Sequence, residues 1–270
     1  MRRKYAIRLI ALTLSAAIGC THQPYVTEPR LERGLVVVLS GVEGRGPLNE
    51  AICAGLDAGG VDLAIENYPW AVPGRWWYNL RDKEHHYRQA EAVARRVAEY
   101  KVDYPGRPVF LVGQSGGGAI AVWAAERLPR NMLEGVILLA AALSPTTDLQ
   151  RTVAASRRGV VNFHSRGDWV ILGLGTRMAG TMDGERSESA GMAGFAVPPG
   201  ASAAEAYREV YQISWKPGMV GSGHLGGHLS SSARWFVRDF VAPLVLAPRW
   251  NPELIEQVRE GEFLAGRPGR

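Results

Sequence analysis

The sequence predicts an α/β protein, a three-layer sandwich in which helices cover both faces of a mostly parallel central sheet. Continuous apolar runs alternate with helical segments along the chain, which is the pattern of parallel strands joined by helices. The first run, Leu35–Leu39, is apolar at every position, as expected of a strand covered on both faces. Further strands are predicted at residues 61–66, 109–112, 134–142, 160–163 and 209–214.

Helical periodicity lies between these strands. It is clearest over residues 84–100, where alanine and valine share one face and charged or amide side chains share the other. Further helices are predicted at about 48–58, from residue 119 to about 128, and at 232–246. Because no internal repeat or low-complexity tract interrupts this alternation, we predict a single domain over residues 34–260.

The strongest chemical signal is Gly113-x-Ser115-x-Gly117, which follows an apolar strand and precedes a helix rich in small residues. A serine on a sharp strand-to-helix turn stands clear of the sheet, and the crowded backbone requires glycine on both sides. The pattern also occurs by chance in ordinary turns between strands and helices. Its position between a strand and a helix favours Ser115 as a nucleophile.

Two backbone amides are candidates for stabilising the negative charge that such a nucleophile generates. The N–H of Gly116 begins the helix after the elbow, where it points toward a bound acyl oxygen. The loop after the first strand, Ser40–Gly46, exposes further amides, of which Val42 is our choice. The glycine spacing of this loop does not match the Gly-x-Gly-x-x-Gly pattern of dinucleotide-binding folds.

A carboxylate and a histidine are needed to activate the serine, and in hydrolases of this architecture they follow it in that order. Asp168 comes after the strand at 160–163 and a turn containing Gly167, so we predict it to be the acid. A simple turn-forming role is the alternative reading of Asp168. Asp148 is the second candidate, and Asp183 and Glu185 are weaker ones.

Two histidines follow the last strand in a glycine-rich segment, and either could serve as the base. We prefer His228 to His224 because it stands just before the final helix. His85 and His86 open an amphipathic helix, where we expect them to be solvated. Neither histidine nor cysteine spacing indicates a metal site, since His224 and His228 would need a helix that the surrounding glycines disfavour. We expect no cofactor.

Aromatic residues crowd the loop after the second strand: Trp70, Trp76, Trp77 and Tyr78. They could line an acyl or aromatic pocket, or contact a membrane surface. Ordinary packing and rim positions are the default reading.

The first 19 residues read as a targeting segment, with a basic start followed by the mostly apolar stretch Leu9–Ile18. Ten residues are too few to cross a bilayer as a helix, which takes about 20. The segment ends in Ala17-Ile18-Gly19-Cys20, which resembles a bacterial lipoprotein box, so we predict lipidation at Cys20 and a tether over residues 20–33. A plain secretory signal and an uncleaved anchor are the alternatives.

Charge and cysteine content limit the possible partners. Four of the 31 basic residues and none of the 26 acidic ones precede Cys20, so the formal net charge after it is +1. Nothing in this balance indicates a nucleic-acid partner. After Cys20 only Cys53 remains, in an apolar helical pattern, and we expect a buried, unreactive thiol there.

With elbow, acid and histidine in this order, residues 34–247 resemble the α/β-hydrolase superfamily of serine hydrolases. The resemblance is to a bacterial, lipoprotein-like branch, through Leu39–Gly44, Val112–Gly118 and Gly226-Gly227-His228. It implies Ser115, Asp168 and His228 as the triad. Gln114 departs from the histidine that many relatives carry before the nucleophile. The short distance between the fourth and fifth strands implies an α/β-hydrolase fold that lacks a cap domain there.

These observations predict a serine hydrolase, with an esterase that forms an acyl-enzyme on Ser115 as the first expectation. Its substrate would be a small-molecule or lipid ester, and Cys20 would hold it to a membrane of the bacterial cell envelope, at the outer membrane or the periplasmic face. An acyltransferase or peptidase would use the same residues. A non-catalytic binding or scaffold protein with this fold is the alternative from another class.

Overall fold

The computed structural model describes residues 23–167 and 181–264, and its centre is a parallel sheet. Within these residues the sheet has six strands in the order β2-β1-β3-β4-β5-β6, and every neighbouring pair is parallel. The strands are β1 Leu35–Leu39, β2 Ala64–Tyr68, β3 Val109–Gln114, β4 Gly135–Leu139, β5 Val160–His164 and β6 Val210–Ser214. The predicted fold class is confirmed.

Helices cover both faces of this sheet. The α-helices of the described residues are α1 Glu28–Leu31, α2 Pro47–Ala58, α3 Trp76–Arg81, α4 Lys83–Asp103, α5 Gly116–Ala125, α6 Gln150–Ala155, α7 Ala190–Ala193, α8 Ala201–Ala206, α9 Arg234–Phe236, α10 Ala242–Leu246 and α11 Pro252–Glu260. A π-helical turn, Val237–Val241, joins α9 to α10. Short 3₁₀ segments lie at Tyr207–Glu209, Pro217–Ser222, Leu229–Ser232 and Glu262–Leu264.

Alternate residues of each strand enter two separate apolar layers, because successive side chains of a strand point to opposite faces. Leu35 and Val37 pack on one side with α4 and α5. Val36 and Val38 pack on the other side with α2 and with the segment that runs from α9 to α10.

Several predicted boundaries were wrong for local reasons. The second strand begins at Ala64 rather than residue 61, because the N–H of Val61 still closes the end of α2 on the carbonyl of Leu56. β4 ends at Leu139 rather than at residue 142, because the next residue, Ala140, has a φ of 50° that no strand allows. The predicted helix 232–246 is interrupted by the π turn, which precedes Pro243, a residue with no N–H to donate.

The predicted tether is packed against the domain from Gln23 onward. The side-chain amide of Gln23 accepts a hydrogen bond from the N–H of Asn67 at 2.9 Å and donates to its carbonyl at 3.1 Å. The carbonyl of Tyr25 accepts from the N–H of Ile65 at 3.1 Å. This segment therefore runs antiparallel to β2 and covers the outer edge of the sheet, where unpaired backbone groups would otherwise be exposed.

Cys53 is buried in α2, as the sequence predicted. Burial raises the pKa of its thiol to about 12, so the reactive thiolate is scarce. Over residues 23–167 and 181–264, none of the helices has the length and apolar character that crossing a bilayer requires.

Candidate active site

Ser115 occupies a strained turn between β3 and α5. Its φ of 53° and ψ of −119° lie outside the regions that non-glycine residues favour. The turn is fixed by the Ser115 N–H, which donates to the Leu139 carbonyl at 2.9 Å. A Cβ at Gly113 would lie 2.5 Å from the Gly117 carbonyl oxygen, and one at Gly117 would overlap the end of β1. Glycine is therefore required on both sides of the serine.

The structure brings His228 and Ser115 together across 113 residues of sequence. The Nε2 atom of His228 lies 2.8 Å from the Oγ of Ser115, and both side chains are buried. The His228 carbonyl accepts from the hydroxyl of Ser231 at 2.7 Å, which fixes the start of the 3₁₀ segment that follows. A hydrogen bond of this length is the contact through which an imidazole removes a serine proton.

His224, the alternative base, lies elsewhere. Its Nδ1 is 2.9 Å from the Ser230 hydroxyl and accepts from the Gly226 N–H at 3.3 Å. Its ring packs edge-on against Phe236, with centroids 4.5 Å apart. Burial lowers its pKa to about 4, so the ring is neutral at physiological pH. These contacts make His224 a support for the loop that carries His228.

The two predicted oxyanion amides lie side by side. A Cβ placed on Gly116 would be 3.5 Å from the Val42 nitrogen and 2.8 Å from its side chain. Neither N–H donates a hydrogen bond to any residue in the described part of the chain. Two unpaired donors beside a nucleophile are the arrangement that stabilises a tetrahedral oxyanion.

Three side chains hold the loop that presents Val42. Asn79 donates from Nδ2 to the Val42 carbonyl at 2.8 Å, and Trp70 donates from Nε1 to the Ser40 carbonyl at 2.7 Å. In the amide orientation that satisfies both of its polar atoms, Asn49 accepts from the Ser40 N–H at 3.2 Å. The loop is therefore held at Ser40 and at Val42 itself, which fixes the Val42 amide before any substrate arrives.

The expectation that His85 and His86 are solvated was wrong. Both rings are buried, because α4 turns its first residues toward the aromatic segment after β2. His85 lies 3.1 Å from the Trp70 carbonyl and His86 lies 2.6 Å from the Asn79 carbonyl. Burial lowers the pKa of each ring. These two histidines support the residues that hold the oxyanion loop.

Asp168 and Cys20 both lie outside the described residues. The turn that leads to Asp168 is described as far as Gly167, and it contacts the loop that carries His228. The Ser165 hydroxyl donates to the Gly226 carbonyl at 2.7 Å and accepts from the Gly167 N–H at 3.2 Å. One side chain thus ties the end of β5 to the segment two residues before the histidine.

The carboxylates of the other acid candidates are engaged or exposed elsewhere. Asp148 accepts from the backbone and side-chain amides of Gln150, at 2.9 and 3.0 Å. Asp183 accepts from the Ser144 N–H at 3.0 Å and the Thr147 hydroxyl at 2.8 Å, and so fixes the loop after β4. Glu185 is exposed. No cluster of three or more His, Cys, Asp or Glu able to hold a metal occurs within residues 23–167 and 181–264.

Sequence reasoning did not identify Ser165, Asn79 and Asn49 as supports of the site. Each lies in or beside a loop at the carboxyl ends of the strands, which was their only available signal. Short polar side chains are common in such loops, and their partners are backbone groups that carry no sequence pattern.

The fold matches proteins of known structure. LpqC, a poly(3-hydroxybutyrate) depolymerase from Bordetella parapertussis, is 15% identical over 87% of this chain and 86% of its own, with a TM-score of 0.50. A family model described as serine aminopeptidase, S33, matches residues 81–168, which contain the elbow and Asp168. The chain therefore has the fold of the α/β hydrolases, and its residues 81–168 resemble one family of them.

A second structural match covers less of the matched protein. Lipase B of Aspergillus fumigatus is 12% identical over 88% of this chain, with a TM-score of 0.48. The chain spans 59% of that lipase. No curated protein matches the sequence.

Proposed function

We propose that the protein is a serine hydrolase that cleaves carboxylic esters through an acyl-enzyme on Ser115. The observation that carries the proposal is the 2.8 Å contact between Ser115 Oγ and His228 Nε2. A serine hydroxyl is a weak nucleophile, and a neighbouring imidazole is the group that activates it.

In the first half of the reaction, Ser115 Oγ attacks the acyl carbon as its proton passes to His228 Nε2. The carbonyl oxygen gains negative charge, which the N–H groups of Val42 and Gly116 stabilise. His228 then returns the proton to the departing alcohol, and the acyl group stays on the serine as an ester.

In the second half, water takes the place of the alcohol. It gives a proton to His228 Nε2 and attacks the acyl-enzyme, and collapse of the second tetrahedral intermediate returns that proton to Ser115 and releases a carboxylic acid. As the proposed acid, Asp168 would accept from Nδ1 of His228, keep the ring in the tautomer whose Nε2 carries no proton, and stabilise the imidazolium. The Ser165 hydroxyl supports this role, because it contacts Gly167 in the turn before Asp168 and Gly226 in the loop that carries His228.

An amide substrate is the second candidate. The family model that matches residues 81–168 is described as a serine aminopeptidase. Glu43 also follows Val42 in the oxyanion loop and is exposed there, where its carboxylate could hold a substrate amino group. Comparing short-chain 4-nitrophenyl esters with aminoacyl 4-nitroanilides, for the wild type and Glu43→Gln, separates the two. Selective loss of anilide turnover in Glu43→Gln would favour the amide.

A fluorophosphonate probe tests the enzyme itself, because it modifies only an activated serine. We expect labelling of the wild type and of Ser202→Ala, a control that changes an exposed serine. Ser115→Ala should lose labelling while its circular dichroism stays native. Labelling should also fall in His228→Ala but persist in His224→Asn. A folded wild-type protein that resists the probe would favour the binding or scaffold role instead.

We propose further that Cys20 is lipidated and that the mature protein sits on a membrane of the bacterial envelope. The support is the basic start, the short apolar stretch and Ala17-Ile18-Gly19-Cys20. Mass spectrometry of the N-terminal peptide from the purified membrane fraction tests it, with Cys20→Ser as the control. We expect a lipid adduct on Cys20 and release of Cys20→Ser from the membrane. An intact, unmodified N-terminus would contradict the proposal.

A further inference from the structure

We propose that the carboxyl ends of the strands, where Ser115 lies, face a lipid bilayer, with Trp76 and Trp77 in the membrane interface. The substrate is then an ester whose acyl chains lie in that bilayer. This inference rests on the proposed function, both the esterase chemistry and the lipid on Cys20.

The position of Gln23 limits where a lipid on Cys20 would be attached to the domain. Gln23 is bonded to Asn67, near the carboxyl end of β2, and the chain then runs along β2 toward its amino end. Three residues span at most about 11 Å. A lipid attached to Cys20 would therefore be linked to the domain within that distance of Gln23, at the carboxyl end of β2.

The same end of the sheet carries the candidate active site. The register pairs Leu39 at the end of β1 with Tyr68 of β2 and with Gly113 of β3, two residues before Ser115. These strands are parallel, so their carboxyl ends lie at the same end of the sheet. That end carries the Val42 loop, the turn at Ser115 and Gln23. A lipid on Cys20 would hold the carboxyl ends of the strands, rather than their amino ends, toward the membrane.

Helix α3, directly after β2, has its polar and apolar residues in the reverse of the usual positions. Its one fully buried side chain is Asn79, whereas Trp76 and Trp77 are 57% and 50% exposed. The two indole rings contact each other edge-on with centroids 5.0 Å apart, and the Arg81 guanidinium lies over Trp77 at 5.2 Å. Tryptophan beside arginine is the composition of protein surfaces that bind the interface of anionic bilayers.

The loop after β6, which carries His228, adds exposed apolar residues at the same end of the sheet. Leu225 and Leu229 are both exposed, and Leu229 follows directly after His228, which contacts Ser115. Apolar side chains thus come from the segment after β2 and from the loop after β6. A bilayer provides a single apolar surface for both.

The first experiment measures orientation. The full-length lipidated protein is reconstituted in vesicles of phosphatidylethanolamine and phosphatidylglycerol, with a thiol-reactive fluorophore on Trp77→Cys or on Leu246→Cys. Leu246 is an exposed control near the amino end of the sheet, since the next carbonyl, of Ala247, accepts from Arg158, two residues before β5. Buried Cys53 should not react, and labelling of the unsubstituted protein checks this.

We expect spin-labelled lipids to quench the fluorophore at residue 77 strongly and the one at residue 246 weakly. Equal quenching at both positions, or stronger quenching at 246, would overturn the orientation. Shielding at residue 77 that depends on protein concentration in vesicle-free solution would assign the surface to a second copy of the chain, and would also overturn it.

The second experiment measures the substrate class. Trp76→Ser with Trp77→Ser should lower hydrolysis of an ester embedded in vesicles about tenfold. It should leave hydrolysis of a soluble short-chain ester unchanged, and Leu246→Ser should change neither rate. Equal loss on both substrates would overturn the membrane role. Failure of the wild type to hydrolyse the soluble ester would refute the esterase instead, and the quenching result would still test the orientation.

Discussion

The side-chain amide of Asn79 donates to the carbonyl oxygen of Val42 at 2.8 Å. The same Nδ2 atom also donates to the Val72 carbonyl at 2.9 Å, and Oδ1 accepts from the Val72 N–H at 2.9 Å. One buried amide therefore fixes the loop that presents an oxyanion donor and the segment that leads into α3. The candidate site depends on this residue although it does not contact the nucleophile.

Replacing Asn79 should impair catalysis more than substrate binding. We expect Asn79→Ala to lower kcat by about 10- to 100-fold, because Val42 N–H loses its fixed direction, while KM changes little. Steady-state kinetics on a soluble ester measure this. Arg81→Ala, on the same helix, is the control. A rise in KM with unchanged kcat would contradict a role in positioning the oxyanion donor.

The strained backbone of Ser115 should reduce stability. Ser115→Gly removes the Cβ that conflicts with a φ of 53°, so it should be more stable than Ser115→Ala by about 1 kcal/mol. Both variants lack the hydroxyl, so their difference isolates the backbone. Urea unfolding of the two proteins gives the comparison. Equal free energies of unfolding would show that the turn is not strained.

Glycine at position 117 should be essential for folding. A side chain there would overlap the carbonyl oxygens of Leu39 and Ser40, which are backbone atoms of the sheet. We expect Gly117→Ala to lower the free energy of unfolding by about 3 kcal/mol or more. Gly46→Ala, where nothing lies within 4 Å of the added methyl, is the matched control and should stay near wild type.

Ser165 should tune the histidine loop. We expect Ser165→Ala to lower kcat by about tenfold, because Gly226 loses the bond that ties it to the turn before Asp168. The pH–rate profile should also change, because the ring of His228 would be held in a different orientation. Ser202→Ala provides the control. An unchanged kcat and pH profile would limit Ser165 to a structural role.

Acid should destabilise the protein through His224. Its pKa is about 4 when folded, against an ordinary value of 6.5, so the unfolded chain binds more protons between these pH values. Stability is therefore retained above pH 6.5 and falls as the pH decreases toward 4, by up to about 3 kcal/mol from this residue. Burial also lowers the pKa of His85, His86 and His164, and their contributions have the same sign.

The variant His224→Asn isolates the contribution of that ring. Its amide oxygen can replace Nδ1 as an acceptor, but it does not titrate. We expect a lower free energy of unfolding at pH 7 and a shallower decrease between pH 6.5 and 4, measured by urea unfolding at each pH. A slope as steep as that of the wild type would contradict the assignment.

The sequence predicted what local chemistry determines. Leu35–Leu39 was assigned correctly because a short unbroken run of leucine and valine, bounded by glycine and serine, suits a strand that is covered on both faces. The elbow was recognisable because only glycine fits on either side of Ser115. The helix Pro47–Ala58 was likewise close to prediction.

Other features depend on contacts between segments distant in sequence. His85 and His86 look like surface residues in their helix, and only the packing of the aromatic segment buries them. Asn79 could have bonded to many backbone groups, and nothing in its neighbours indicates Val42. Helix α11 was missed, although Asn251 before Pro252 and Gly261 after the last turn are ordinary helix boundaries.

The pairing of Gln23 with Asn67 also prevents the edge strand β2 from pairing with another copy of the chain. Residues 23–25 occupy the free side of β2, and without them the N–H of Ile65 and the N–H and carbonyl of Asn67 would be open to another strand. A proteolytic cut after Tyr25 would thus leave a domain with an unpaired strand at the edge of its sheet. Such a fragment would tend to extend its sheet with a second copy and accumulate as aggregates rather than as monomers.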